Sequence, residues 1–307
     1  MAPTNDRKNV LLLTSARTRS NLVFRWICTS PDVHPIQYPF APTTRYGKPE
    51  NCLLHHMRHS EERRQELVQW HDGQDTPQDS VALVEKNLRA ADEEGKVGVV
   101  IDQWDHLVRV PEGLEILRQE EVVLPQNPTW LPDEMLTSTT TIILIRHPAA
   151  VVDSIYRLLF AVARKYGLDD EDFHLVSTAR AHRLLFDLFT SRGLKPIVLD
   201  SWDVVTNPAR IQGVLEEKLG IRGMSDVWKP KTEEELARMH PRTLGATRVA
   251  NESSGIQRVE SDKASEMEGK DFFVQWKEKY GERVAKQLQA YVDLNLPHYE
   301  YLRKFKV

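Results

Sequence analysis

The chain has 307 residues, 40% of them hydrophobic, which suits a single domain over 1–307 with a sizeable core. Its 41 Lys and Arg against 45 Asp and Glu give a formal charge of −4 without a long run of either sign, which argues against a nucleic-acid partner. No apolar run approaches the roughly 18 residues of a membrane span, and the two cysteines, Cys28 and Cys52, have no metal-ligand spacing, so the expectation is a cytoplasmic protein with free thiols.

Val10–Thr14 (VLLLT) is a continuous apolar run, the pattern of a central strand covered on both faces. Ser20 is placed to cap a helix over Asn21–Cys28. Pro31–Cys52 is rich in Pro, Tyr and Thr and reads as a long irregular segment, of the kind that forms lids and substrate walls. Polar helices are expected at Glu61–Trp70 and Ser80–Glu93, so that 31–95 forms a substrate-side loop and helical insertion.

Further buried strands follow at Lys96–Asp102, Thr139–Arg146 and Pro196–Asp200. Pro148 can open a helix over Ala149–Tyr166, because its missing donor is harmless at the first helical position. A second long helix is expected at Asp170–Ser191, stopped by Gly193, and another at Ala209–Leu219, stopped by Gly220. Residues 232–269 are polar and loop-rich, and Phe272–Phe305 is helical, with Val284, Leu288, Tyr291 and Val292 as its apolar positions. Alternating strands and helices predict an α/β fold: a central, mostly parallel sheet between helical layers.

Chemistry concentrates first in the loop Thr14–Asn21, between a strand end and a helix start. Backbone N–H groups converge there and the helix dipole favours negative charge. Arg17 and Arg19 add cationic forks, and Thr18, Ser20 and Asn21 add polar donors, which points to a phosphate or sulfate ligand. The plainer alternative is solvated arginines and a capping hydroxyl. The loop lacks the glycines and lysine of G-x-x-x-x-G-K-[ST], and Asp102 and Asp200 end strands without a hydrolytic apparatus beside them, which disfavours ATP or GTP hydrolysis. The second signal is LIRHPAAVVDSIYR. Arg146 ends a strand and Ser154 follows eight residues later in the next helix, so the two can clamp one phosphate from two sides. Alternatively Ser154 is a packing residue and Arg146 pairs with an acid such as Asp153.

Together, a P-loop-like turn without its lysine and a strand–Arg–x7–Ser–helix unit resemble the sulfotransferase family, whose donor is 3′-phosphoadenosine-5′-phosphosulfate (PAPS). The nearest likeness is to its fungal branch, where the first loop tends to read P-R-T-x-S-N-L; here Ala16–Leu22 reads A-R-T-R-S-N-L. NPTWLPDE (127–134), RHPAAVVDSIYR and YGERVAKQLQAYVDLNLPHYEYL are similar to that branch as well, so the resemblance covers most of the chain. It implies a P-loop-like three-layer fold and a small hydroxylated acceptor. It implies that Arg17 replaces the loop lysine, that Thr18, Arg19, Ser20 and Asn21 complete the 5′ cradle, and that Arg146 and Ser154 hold the 3′-phosphate. The family's late glycine-containing loop is matched by NESSGIQR, offering Ser254, Gly255 and Arg258; an ordinary surface loop is the alternative.

The family's base, usually a histidine after the second central strand, aligns here with Trp104. Asp102 and His106 are the neighbouring candidates, with Asp105 beside them; His55-His56 form a further candidate pair. This departure, with the missing lysine, keeps two other functions open: a relative that has lost sulfuryl transfer and catalyses cyclisation, dehydration or rearrangement, and a non-enzymatic nucleotide-binding protein. Tyr38, Phe40, Tyr46, Trp70, Trp104, Trp130 and Tyr156 are either acceptor-pocket walls or core. Sulfuryl transfer does not require a metal, so none is expected, and the oligomeric state stays open, a homodimer included.

Overall fold

The computed structural model describes the chain except for residues 1–7, 63–64, 66–75, 159–166, 169, 238–243, 245–246, 248–249 and 258–270. Five strands form one parallel sheet: β1 (Val10–Thr14), β2 (Val33–Gln37), β3 (Val97–Gln103), β4 (Thr140–Ile145) and β5 (Ile197–Asp200), in the order β2-β3-β1-β4-β5. β1 lies at the centre, its Val10–Thr14 in register with Val99–Gln103 of β3 and its Val10–Leu13 with Thr140–Ile143 of β4.

The apolar runs are continuous because helices cover both faces. Side chains alternate along the strands. Leu11, Leu13, Val100, Ile143, Ile145 and Val198 pack with the helices Pro77–Glu93, Val110–Arg118 and Arg180–Ser191. Val10, Leu12, Val99, Ile101, Ile142, Leu144 and Leu199 pack with the helices Ser20–Ile27, Ser201–Thr206 and Pro208–Leu219. The result is the three-layer α/β arrangement expected. A third cluster joins Pro148–Leu158 to the helices Phe272–Tyr280 and Glu282–Arg303, which Gly281 (φ 86°) separates.

Several elements differ from the sequence expectation. β2 lies inside the stretch read as irregular, and carries Pro35; proline is tolerated there because β2 is an edge strand, where a missing N–H need not break the ladder. The single helix expected over 170–191 is two, Glu171–Ser177 and Arg180–Ser191. Thr178 is extended (φ −70°, ψ 131°) and Asn295 Oδ1 accepts the Ala179 N–H at 2.7 Å, so a distant side chain satisfies the break. Pro77–Glu93 starts earlier than predicted, on a capping box between Thr76 and Asp79. Most of the helix expected at 61–70, and the end of that expected at 149–166, fall outside the described residues. Cys28 and Cys52 are free, and burial pushes each thiol up to about 12. No described helix is long and apolar enough to cross a membrane, and no group of three or more His, Cys, Asp or Glu among the described residues is placed to hold a metal ion.

Candidate functional site: an arginine-lined cavity at the strand ends

In a parallel sheet of this kind, ligands sit outside the carboxyl ends of the strands. The loop that leaves β1 achieves its turn without glycine. Arg17 (φ 63°) and Arg19 (φ 66°) take the left-handed conformation and Thr18 between them does not. A left-handed non-glycine residue costs about 1–2 kcal/mol, and such alternation is the backbone pattern of anion-binding nests. The strain is held by three bonds. Thr18 Oγ1 donates to the Ser15 carbonyl at 2.8 Å, Arg146 Nη1 donates to the Arg17 carbonyl at 2.6 Å, and Arg19 Nη1 donates to the Ser201 carbonyl at 3.1 Å. Arg19 also lies over the Trp202 ring at 5.8 Å.

Sequence reasoning placed Arg17 and Ser154 on different parts of the ligand; the structure brings them together, with Arg17 Nε donating to Ser154 Oγ at 2.9 Å. Thr18, by contrast, is buried with its hydroxyl turned into the loop, so it shapes the cradle without facing the cavity. Ser20 is not the helix cap. Arg19 occupies that position, its side chain making no capping bond to the helix, and Ser20 Oγ meets the Tyr38 hydroxyl at 3.3 Å. Asn21 Oδ1 accepts from Gln37 Nε2 at 3.1 Å.

Arg17, Arg19, Ser20, Asn21 and Arg146 line one cavity of about 600 Å³, whose far wall comes from Thr247, Ala250, Glu252, Ser253, Gly255 and Gln257. Of the late-loop candidates, Gly255 lines it, Ser254 is exposed with its carbonyl accepting the Trp228 N–H at 2.9 Å, and Arg258 lies outside the described residues. The wall is braced from the anion-loop helix. Arg25 Nη1 donates to the carbonyls of Ala250 (2.6 Å) and Asn251 (2.9 Å), and its guanidinium lies 5.6 Å from the Trp228 ring centre. No local pattern marks Arg25, since its partners lie more than 200 residues away.

Electrostatics makes the cavity unusual. Burial pushes the Arg146 guanidinium down to about 9, with further repulsion from Arg19, Arg17 and Arg157, the last of which sequence reasoning left without a role. Burial likewise lowers Arg17, with repulsion from Arg157, and lowers Arg19, where Asp200 partly offsets it. At neutral pH the arginines stay charged and repel one another in a partly desolvated setting. An anion relieves that repulsion.

The candidate bases do not line this cavity. Asp102 is fully buried, and its carboxylate accepts from the Phe40 N–H (2.9 Å), the Gln103 N–H (2.8 Å) and His106 Nδ1 (2.5 Å). The Asp102 oxygens are thus engaged in the core, one of them by His106 Nδ1. His106 is buried and its Nε2 accepts from Arg45 Nε at 2.5 Å. Tyr38 packs edge-on against it, ring centres 6.4 Å apart, and links to Ser20 on the other side. A second buried histidine, His182, carries no motif in the sequence; in the first turn of the helix Arg180–Ser191, it meets Ser15 Oγ at 3.3 Å, and burial lowers it to about 4, which keeps it neutral.

Of the other candidates, His55 is exposed, and His56 is bonded through Nδ1 to the Asp172 carboxylate. Phe40 and Trp104 are core, Tyr156 packs on Tyr280, and Trp130 is partly buried against the core, so none of them lines the cavity. The Tyr46 side chain and Trp70 lie outside what the structure describes.

Comparison with known proteins adds an independent line. No family model matches the chain. Two curated fungal proteins are similar to it, both named Sulfotransferase ppzF. That of Metarhizium majus (strain ARSEF 297) is 29% identical over 191 residues, and that of Metarhizium rileyi (strain RCEF 4871) is 28% identical over 191. Each match takes in 58% of this chain and 55% of the relative, so the chain spans about half the length of the curated relatives it matches. Among solved structures, the sulfotransferase domain from the curacin biosynthetic pathway aligns over 81% of this chain and 83% of its own, with a TM-score of 0.40 and 14% identity. The chain is thus similar to proteins named sulfotransferase, and these two sequence relatives are fungal.

Proposed function

We propose that the cavity binds PAPS and that the protein transfers its sulfuryl group to a hydroxyl of a small metabolite. The observation that carries this reading is the convergence of Arg17, Arg19 and Arg146 on one cavity at the end of β1, mutually repelling and partly desolvated. Three such cations suit a ligand with well-separated anionic groups, which a 5′-phosphosulfate and a 3′-phosphate provide. A volume of about 600 Å³ is that of a nucleotide-sized site. The names of the two fungal relatives support sulfuryl transfer as the reaction class.

In this reading Arg17, bonded to Ser154, stabilises charge on the oxygen between phosphorus and sulfur, and Arg146 grips the 3′-phosphate. The donor supplies an activated sulfuryl group. The hydroxyl oxygen bonds to sulfur while the S–O bond to the 5′-phosphate breaks, its electron pair leaving with adenosine 3′,5′-bisphosphate. His106, held by Asp102, takes the hydroxyl proton on Nε2. The test is calorimetric titration with adenosine 3′,5′-bisphosphate, with ATP as control. Selective binding of the bisphosphate is expected, and at about 100 times its dissociation constant it should stabilise the fold by roughly 2.7 kcal/mol in a melting experiment. Absence of binding overturns the donor assignment.

Gly255 gives a second check. Its φ is 156°, and a Cβ there would lie 2.4 Å from the Asp226 carbonyl oxygen, so the wall approaches that backbone only through glycine. Gly255→Ala should push the wall from its seat and lower bisphosphate affinity about tenfold or more, with the sheet and its melting cooperativity intact. Unchanged affinity in the same titration would separate this wall from the nucleotide.

One observation favours a second reading, a relative that has lost sulfuryl transfer: the Nε2 position of His106 is occupied by Arg45. Turnover of an acceptor without consumption of PAPS would establish that alternative.

A further inference from the structure

The contact between Arg45 and His106 fixes more than a tautomer. Arg45 Nε is a donor under all conditions. The ring nitrogen it meets at 2.5 Å must therefore offer a lone pair, while Nδ1 donates to Asp102. His106 is neutral here, with its basic nitrogen aimed correctly and covered. A hydroxyl that is to give up its proton must come within about 2.6–3.2 Å of that nitrogen. Arg45 stands in that place.

The surroundings let Arg45 leave it. Its side chain is 28% exposed, whereas that of His106 is 3% exposed. It sits on a π-helical turn, Pro42–Tyr46, a geometry found disproportionately at functional sites. That turn is pinned independently of Arg45. Thr44 Oγ1 donates to the Phe40 carbonyl at 2.8 Å, Thr43 Oγ1 meets Ser80 Oγ at 2.7 Å, and Gly47 permits the close return past the Thr43 carbonyl. The far end of the guanidinium is held by Gln103 Oε1 (3.0 Å) and Asp105 Oδ2 (3.1 Å) through Nη2. Rotation about that end withdraws Nε from His106 without losing the ion pair.

We propose that Arg45 is the gate of the acceptor side: its guanidinium covers Nε2 of His106 in the resting protein and swings outward about Asp105 to admit the acceptor hydroxyl. Once Nε2 has taken the proton, the imidazolium has no lone pair and repels Arg45, so the gate stays open until that proton is released to solvent. This rests on the sulfuryl-transfer reading for its purpose, yet the geometry is tested without donor or acceptor.

The experiment is carbethoxylation of the full chain by diethyl pyrocarbonate, which attacks an accessible imidazole lone pair, with modified histidines located by mass spectrometry. Wild type, Arg45→Gln and Arg45→Lys are compared. His55 and His59 are exposed and serve as constant references, and buried His182 reports any general loosening of the fold. The gate predicts that His106 reacts about tenfold faster or more in at least one variant, while His182 stays protected, as expected for a local opening. Equal protection of His106 in all three proteins overturns the gate. So does joint exposure of His106 and His182 in both variants, which would make Arg45 a brace of the core. Loss of bisphosphate binding bears on the donor reading alone, so the two failures are distinguishable.

Discussion

Arg146→Ala is expected to lower affinity for adenosine 3′,5′-bisphosphate by about a hundredfold, and for adenosine 5′-monophosphate by only about tenfold. The two numbers differ because Arg146 does two things. Its Nη1 donates to the Arg17 carbonyl and so pins the strained loop, a contribution both nucleotides share. It also lines the cavity, where only the bisphosphate would offer its charge a second anionic group. A hydrogen bond to a charged group contributes roughly 1.5–3 kcal/mol, which sets the extra tenfold or more. Calorimetry of both nucleotides against both proteins measures the difference directly. Equal losses would reduce Arg146 to a brace for the loop and remove the 3′-phosphate assignment. Removing one buried cation also relieves repulsion on Arg17 and Arg19, so the variant should not melt earlier than wild type by any large margin.

The sequence made the sheet legible wherever burial on both faces imposed an uninterrupted apolar run, as in β1, β3, β4 and β5. β2 escaped because, unlike β5 at the opposite edge, it is only partly covered: in VHPIQ only Val33 and Ile36 are buried, and the strand carries a proline that a central strand would not tolerate. Arg17, Arg19 and Arg146 were legible as a group because a strand end followed by a helix concentrates donors in one place whatever the rest of the fold does. What could not be read was the direction of each side chain. Thr18 and Ser20 are polar residues in an anion loop, yet one closes the loop on itself and the other meets Tyr38. The left-handed arginines were hidden because glycine is the ordinary signal for such backbone, and none is present. Arg25 and Arg45 act on residues far away in sequence or through a neighbour's lone pair, and no spacing rule encodes either relation. The site is thus legible in its charge and illegible in its wiring.

The wiring decides the second large effect, at the base. His106→Gln is expected to lower kcat for sulfuryl transfer by about 10²–10⁴, the usual scale for a positioned general base, with bisphosphate affinity unchanged because His106 does not line the cavity. The glutamine amide can still donate toward Asp102, so the loss of a buried partner is limited and the fold should persist. Asp102→Asn tests the same device from the other end. The carboxylate accepts three N–H groups, and an amide must present a donor to at least one of them, so this variant should lose stability as well as rate. If Asp102 acts only through His106, the two substitutions remove one function, and the double variant should be scarcely slower than His106→Gln alone. Multiplied losses would mean that Asp102 touches the reaction independently, which its full burial argues against. A kcat for His106→Gln within about threefold of wild type would exclude His106 as the base. The proton acceptor would then have to be sought among groups that line the cavity, where Glu252 is the one carboxylate among the described residues.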